Sequence, residues 1–210
     1  MYKPYNYSHK DKKLISMNYK YYTDWKKKCF NYIKEKMKRN LHKKQGGRCY
    51  YCKSKLNYAI CDPHLDHILD KKHYERFGFH TKNLTLTCPK CNNKKSITNV
   101  LKKNKLNKYY PRKSEDFTIV HPYFDDYNDH LEKLDDLIIT WKTQKGKETI
   151  KVCKLDRIDL VIGYAEEKGL DKKDKITKLA ILLTRSYDPQ REKVIKNQIN
   201  DTIKKIGRLY

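Results

Sequence analysis

The chain has 210 residues, 38% hydrophobic and 35% charged, with 49 Lys/Arg against 25 Asp/Glu and a net charge of +24. That length suits one domain or two small ones, and an aromatic content of 12% argues against disorder of the whole chain. No run of about 18 apolar residues is present, so no membrane partner is expected; Met1-Tyr2-Lys3-Pro4-Tyr5 lacks the apolar core of a signal peptide, and the expected location is cytoplasmic.

Residues 1–60 hold 17 Lys/Arg against 3 Asp/Glu, whereas the last hundred contribute only +3. A codon bias toward Lys, Asn, Tyr and Ile would spread lysine evenly. The asymmetry favours a polyanionic partner that releases counterions on binding. Residues 1–20 read as a basic, loose arm. From Asp24 to about Lys44, Trp25, Cys29, Ile33, Met37 and Leu41 recur every fourth residue, which predicts an amphipathic helix capped by Asp24 and ended by Gly46-Gly47. Segment 1–44 is therefore expected to be a basic arm and helix. The first third holds ten of the 18 tyrosines, whose rings suit stacking on bases; a solvated helix face with tyrosines on its flank is the plainer reading of the same residues.

Segment 45–110 opens on Cys49-Tyr50-Tyr51-Cys52, a tight turn with a thiol on each side. Leu65 to Leu69 and Asn83 to Thr87 read as strands on either side of a polar loop. Pro89 suits the first turn of a helix, which Ile97, Val100 and Leu101 would continue. Cys88-Pro89-Lys90-Cys91 repeats the Cys-x-x-Cys spacing. Two such pairs predict a structural zinc site of Cys49, Cys52, Cys88 and Cys91, closed to water and contributing folding free energy. Cys29, Cys61 and Cys153 read as small apolar residues.

Between the thiol pairs, Asp66 and His67 share the first strand, Asn83 opens the second, and Asn92 and Lys95 lie three apart on one helix face. Phosphodiester hydrolysis needs a base for water, a cation for the charge that builds at phosphorus, and help for the leaving oxygen. His67 suits the base. Asp66 and Asn92 offer hard oxygen ligands for Mg²⁺ or Mn²⁺. His64, His73 and His80 read as surface or loop residues, with phosphate contact as the sharper alternative.

Segment 111–210 begins with Phe117 to Val120 as a strand stopped by His121-Pro122, followed by the one acidic patch, Asp125 to Asp136. Leu137 to Trp141 and Thr149 to Cys153 predict a hairpin around Lys145-Gly146. Helical patterns follow at Leu155 to Ala165, Ile176 to Leu183 and Val194 to Ile206.

The order Cys-x-x-Cys, Asp66-His67-Ile68, Asn83-Leu84, Cys88-x-x-Cys91-Asn92-x-x-Lys95 resembles the HNH endonucleases over roughly residues 45–100. The resemblance implies an α+β chain: a ββα-metal HNH nuclease unit with a zinc knuckle pair, flanked by an N-terminal basic helix and a mostly helical C-terminal region. It makes His67 the general base, Asp66 a metal ligand and Asn92 the second ligand. Asn83 would steady the histidine or the loop, and Lys95 would lie near the scissile phosphate. The chain departs from the family name in having Asn92 where a histidine is usual, although His-Asn-Asn sites occur in the family. Asn93 competes with Asn92, and the place directly after Cys91 favours Asn92. The run Ile119 to Asp126 looks like a segment of HNH proteins from bacterial anti-phage systems such as Septu, in which the HNH subunit works beside an ATPase; it implies antiviral defence and a protein partner for the C-terminal region. The expected function is a metal-dependent DNA endonuclease, with RNA left open as substrate. The alternative is a non-catalytic, zinc-stabilised nucleic-acid-binding module.

Overall fold

A computed structural model describes residues 2–60, 62–102, 109–134, 138–167 and 169, together with 194 and 197. Its α+β architecture begins earlier than the sequence suggests. Residues 1–20 are not a loose arm, because α1 (His9–Asn18) is nucleated by a capping box: the Ser8 hydroxyl accepts from the Asp11 amide and the Asp11 carboxylate from the Ser8 amide, each at 3.1 Å. Upstream, Tyr5 and Tyr7 are buried with Phe30, Ile33, Met37, Phe79 and Leu84 in one of two cores.

Helix α2 (Asn31–Lys44) starts seven residues later than expected. Tyr22–Lys26 and Lys28–Phe30 form short 3₁₀ turns instead. The Asp24 carboxylate accepts the amides of Lys20 at 2.8 Å and Tyr21 at 2.9 Å, so it caps the first 3₁₀ turn from within and not the start of α2. The buried stripe of Ile33, Met37 and Leu41 is as the periodicity predicts.

Strands β1 (His64–His67) and β2 (Leu84–Thr87) pair antiparallel, with Asp66 opposite Thr85 and His67 opposite Leu84. Helix α3 (Pro89–Lys95) follows at once, capped by Cys88 with Pro89 in its first turn. It does not continue through Leu101. Ser96 adopts a positive φ of 47°, Ile97 is exposed, and Leu101 bridges to Phe117. The expected strand at Phe117 to Val120 is reduced to that bridge, because the Val120 amide is taken by the Thr149 hydroxyl at 2.8 Å.

The predicted hairpin is re-paired. After α4 (Tyr127–His130), β3 (Leu131–Leu134) pairs with β4 (Ile138–Trp141), and the supposed second arm is α5 (Gln144–Cys153), capped by Thr143. Gly146 is not a turn glycine: a Cβ there would lie 2.0 Å from the His130 carbonyl oxygen, so it permits a close helix approach. Helix α6 (Ile158–Glu167) completes the described elements. The second core joins the knuckle tyrosines, Ile68 and Leu86 to Phe117, Ile119, Leu131 and Ile150. Cys61 and the helical patterns from Ile176 onward lie outside the described residues, apart from Val194 and Asn197. No helix among the described residues is long and apolar enough to cross a membrane.

Candidate functional site

The Cys49–Cys52 turn and the start of α3 bring four thiols together. The Sγ atoms of Cys49, Cys52, Cys88 and Cys91 lie within 4.8 Å of one another, and all four residues are buried. Cys52 and Cys88 are 3.8 Å apart sulfur to sulfur. A disulfide would need about 2.05 Å, whereas the edge of a tetrahedron with metal–sulfur bonds of ~2.3 Å is about 3.8 Å. The cluster could bind a zinc ion. Around it, the Cys91 amide donates to Cys88 Sγ at 3.4 Å, Arg157 donates to Cys91 Sγ at 3.4 Å, and the Tyr164 hydroxyl donates to the Cys52 carbonyl. Neighbouring thiols pull Cys88 down from its ordinary range, while burial pushes Cys49 up. Four thiolates this close would repel one another, which is the condition a bound cation relieves.

Beside the cluster a cleft of about 960 Å³ has Asp66, His67 and Asn92 in its wall, with His64, Asn93 and Lys71. His67 is buried, and its Nε2 lies 3.0 Å from the Gly78 carbonyl. A carbonyl only accepts, so the proton sits on Nε2 and Nδ1 keeps its lone pair. Burial, assisted by the charge of Lys71, pushes the imidazole down to about 3, so it is neutral near pH 7. Trp25 meets the ring edge-on, with centroids 4.5 Å apart. Gly78 is required by space, since a Cβ there would fall 1.9 Å from the Tyr19 hydroxyl.

Asp66 is buried and held on both oxygens. Tyr51 donates its hydroxyl at 2.9 Å to one, and the Lys95 ammonium stands 3.3 Å from the other. Burial pushes the Asp66 carboxyl up, and the charge of Lys95 opposes the rise. Lys95 itself is 0% exposed and also donates to the His67 carbonyl at 2.6 Å. It therefore faces inward, away from the cleft mouth where a phosphate contact was expected.

The Asn92 amide nitrogen lies 3.0 Å from His64 Nδ1, which makes the amide the donor and leaves Oδ1 without a hydrogen bond among the described residues. Asn83 is fully buried and ties the loop. Its Oδ1 accepts the Leu69 amide at 2.7 Å, and its Nδ2 donates to the Leu69 and Phe77 carbonyls, each at 3.0 Å. It supports the segment carrying Gly78, and among the described residues it makes no hydrogen bond to the His67 ring.

Sequence reasoning undervalued His64 and overlooked Tyr51. His64 was readable, because a strand places residues two apart on the same face and so sets it beside Asp66. Tyr51 carried no such signal, since its partner lies fifteen positions away. Four of the other histidines have structural partners. His73 pairs with Asp70 at 2.7 Å, His80 stacks on Tyr110, and His130 bonds Thr143 at 2.7 Å. His121 accepts the Tyr123 amide at Nδ1, so Nε2 donates to the Tyr110 hydroxyl at 2.9 Å. The run Ile119 to Asp126 also docks on β2, where Tyr123 donates to the Leu84 carbonyl at 2.6 Å.

No family model matches the chain, and no solved structure matches it. Among curated proteins it is similar to the Septu protein PtuB of Bacillus mycoides (strain KBAB4), 28% identical over 199 residues, covering 83% of this chain and 67% of that protein. It is also similar to the Septu protein PtuB of Bacillus thuringiensis, 26% identical over 115 residues, covering 55% of this chain and 39% of that protein. This similarity, which takes in most of the chain, supports the resemblance to Septu-type proteins.

Proposed function

We propose that the chain is a metal-dependent endonuclease of the HNH class that hydrolyses DNA phosphodiester bonds, serving phage defence beside a protein partner such as an ATPase. The observation that carries this reading is the shared placement of Asp66, His67 and Asn92 in the wall of one cleft, on a strand–strand–helix unit whose ends meet at the four thiols. Similarity to the PtuB proteins supports the defence role.

In this reading Cys49, Cys52, Cys88 and Cys91 would hold a structural zinc, and the oxygens of Asp66 and Asn92 would hold Mg²⁺ or Mn²⁺. Such a cation, when bound, offsets charge that develops at phosphorus and at the leaving oxygen. His67 Nδ1 takes the proton of the attacking water, with the ring fixed by the Gly78 carbonyl. Lys95 is a positioning residue, holding the Asp66 carboxylate and the His67 backbone together. Asn83 steadies the loop that presents Gly78. Lys71 faces the cleft as a contact for a flanking phosphate.

The test is a cleavage assay of the purified, zinc-loaded chain, with its partner supplied, on plasmid, linear duplex and single-stranded DNA. Cutting should require Mg²⁺ or Mn²⁺ and fall by roughly 10²–10⁴-fold in His67→Ala. Failure to cut any nucleic acid sinks the reading. A second reading, a non-catalytic zinc-stabilised nucleic-acid-binding module, is favoured by one observation: Asp66 is already engaged with Lys95 and Tyr51, as a purely structural carboxylate would be. It predicts DNA binding without cleavage, unchanged in His67→Ala.

A further inference from the structure

A second hollow, of about 710 Å³, lies beside the Cys49–Cys52 turn and shares no lining residue with the cleft. Arg48, Lys53, Lys55, Lys133 and Lys142 line it, against two carboxylates, Glu132 and Glu167. Glu167 is taken up by Arg48 at 2.7 Å and Lys55 at 3.2 Å, and Glu132 lies 3.8 Å from Lys142. Lys53 is different. Its ammonium sits 3.8 Å from the Tyr127 ring centre and 4.8 Å from that of Tyr50, and among the described residues no carboxylate forms an ion pair with it. Burial weighs against its charge, and the thiols of Cys49 and Cys52, then Asp126, act on it in the opposite sense through space. Two ring faces orient the charge and leave donor hydrogens for an anion.

The backbone gives a second, independent reason to look at this residue. Lys53 follows Cys52 with φ at 57°, a conformation glycine adopts freely and a lysine does not. The turn itself, closed by the Lys53 amide on the Cys49 carbonyl at 2.9 Å, would be served better by glycine. What lysine adds is the ammonium in the hollow. The kind of anion follows from what the hollow offers. Lys53 lies over one face of Tyr127 and Lys133 over one face of Tyr164, so the rings of the hollow serve its ammonium groups and the hollow presents charge. Contact through charge alone is the mark of a strand's backbone rather than of a nucleotide held by its base.

We propose that this hollow binds a backbone phosphate of the nucleic acid handled in the cleft, with Lys53 as its central contact; the proposal rests on the nucleic-acid reading above. The experiment uses the full, zinc-loaded chain without added divalent cation and follows binding of a labelled DNA duplex as salt rises. Lys53→Gly keeps the positive-φ turn, and Lys53→Asn, which also tolerates it, guards against a glycine-specific effect. With zinc content unchanged, both variants should bind duplex roughly fivefold more weakly, and the slope of log affinity against log salt should fall by about 0.9, one phosphate contact. If wild type binds and the variants match it in affinity and slope, the proposal is overturned while the cleft reading stands. If wild type binds no nucleic acid, the cleft reading itself fails. Binding of ATP or inorganic phosphate that depends on Lys53, with the duplex slope unmoved, would assign the hollow to a free nucleotide and overturn the proposal. An acidic peptide that binds through Lys53 under the same null duplex result does so equally.

Discussion

Helix α3 serves two sites built on different chemistry. Cys88 and Cys91 face a closed cluster of four sulfurs, whereas Asn92, the next residue, faces an open cleft of oxygen and nitrogen donors. Every thiol in the cluster is buried and turned toward the other three, which leaves no position for water or substrate. Among the described residues the cleft keeps spare valences: the lone pair of His67 Nδ1 and the Oδ1 of Asn92. A site that has consumed all its donors can only hold the fold; one that has not is able to take a reactant.

The largest test of that contrast removes a thiol. Cys49→Ser or Cys88→Ser should lose bound zinc altogether and abolish cooperative unfolding of residues 45–100, since metal binding in such sites is worth on the order of 10 kcal/mol of folding free energy. Metal analysis and thermal melts check this, and full zinc retention with an unchanged melt would break the comparison. Next, a cleft change should act on chemistry alone. His67→Ala is expected to lower the cleavage rate by roughly 10²–10⁴-fold, with zinc content and melting temperature held. A brief, mild chelator treatment gives the same contrast without mutation: cleavage should stop and return with Mg²⁺, while the four-thiol zinc stays in place, as read by a thiol-reactive zinc assay.

Two smaller effects probe the supports. Tyr51→Phe removes one hydrogen bond to the Asp66 carboxylate, and cleavage should fall about tenfold with zinc retained. An unchanged rate at limiting Mg²⁺ would show that Asp66 needs no such support. Gly78→Ala places a methyl group against Tyr19, and overpacking of this kind costs about 1–3 kcal/mol. The melt should drop accordingly, together with a modest loss of rate as the carbonyl behind His67 shifts.

The four-thiol cluster and the Asp66-His67 strand were legible because their determinants are local: two-residue spacings, a short alternating strand, and a proline at a helix start. The stripe of α2 was legible for the same reason. Its beginning was not, since Asp24 turned its carboxylate back on Lys20 and Tyr21, and periodicity does not register such competition. α1 was hidden by its lysines, although the Ser8 and Asp11 spacing announced it. The hairpin after Pro111 failed for a different reason. Whether Gly146 marks a turn or a close helix contact depends on the His130 carbonyl, which only tertiary packing supplies. The inward direction of Lys95 is of the same kind: helix spacing sets its face but not how deep the face is buried.

Tyr51 belongs to both sites, for it stands inside the Cys49–Cys52 turn and holds Asp66. Oxidation of the thiols would draw a sulfur pair from 3.8 Å to a bond of about 2.05 Å and drag that turn with it. One side chain thus ties the geometry of the cleft to the turn that carries two of the four thiols.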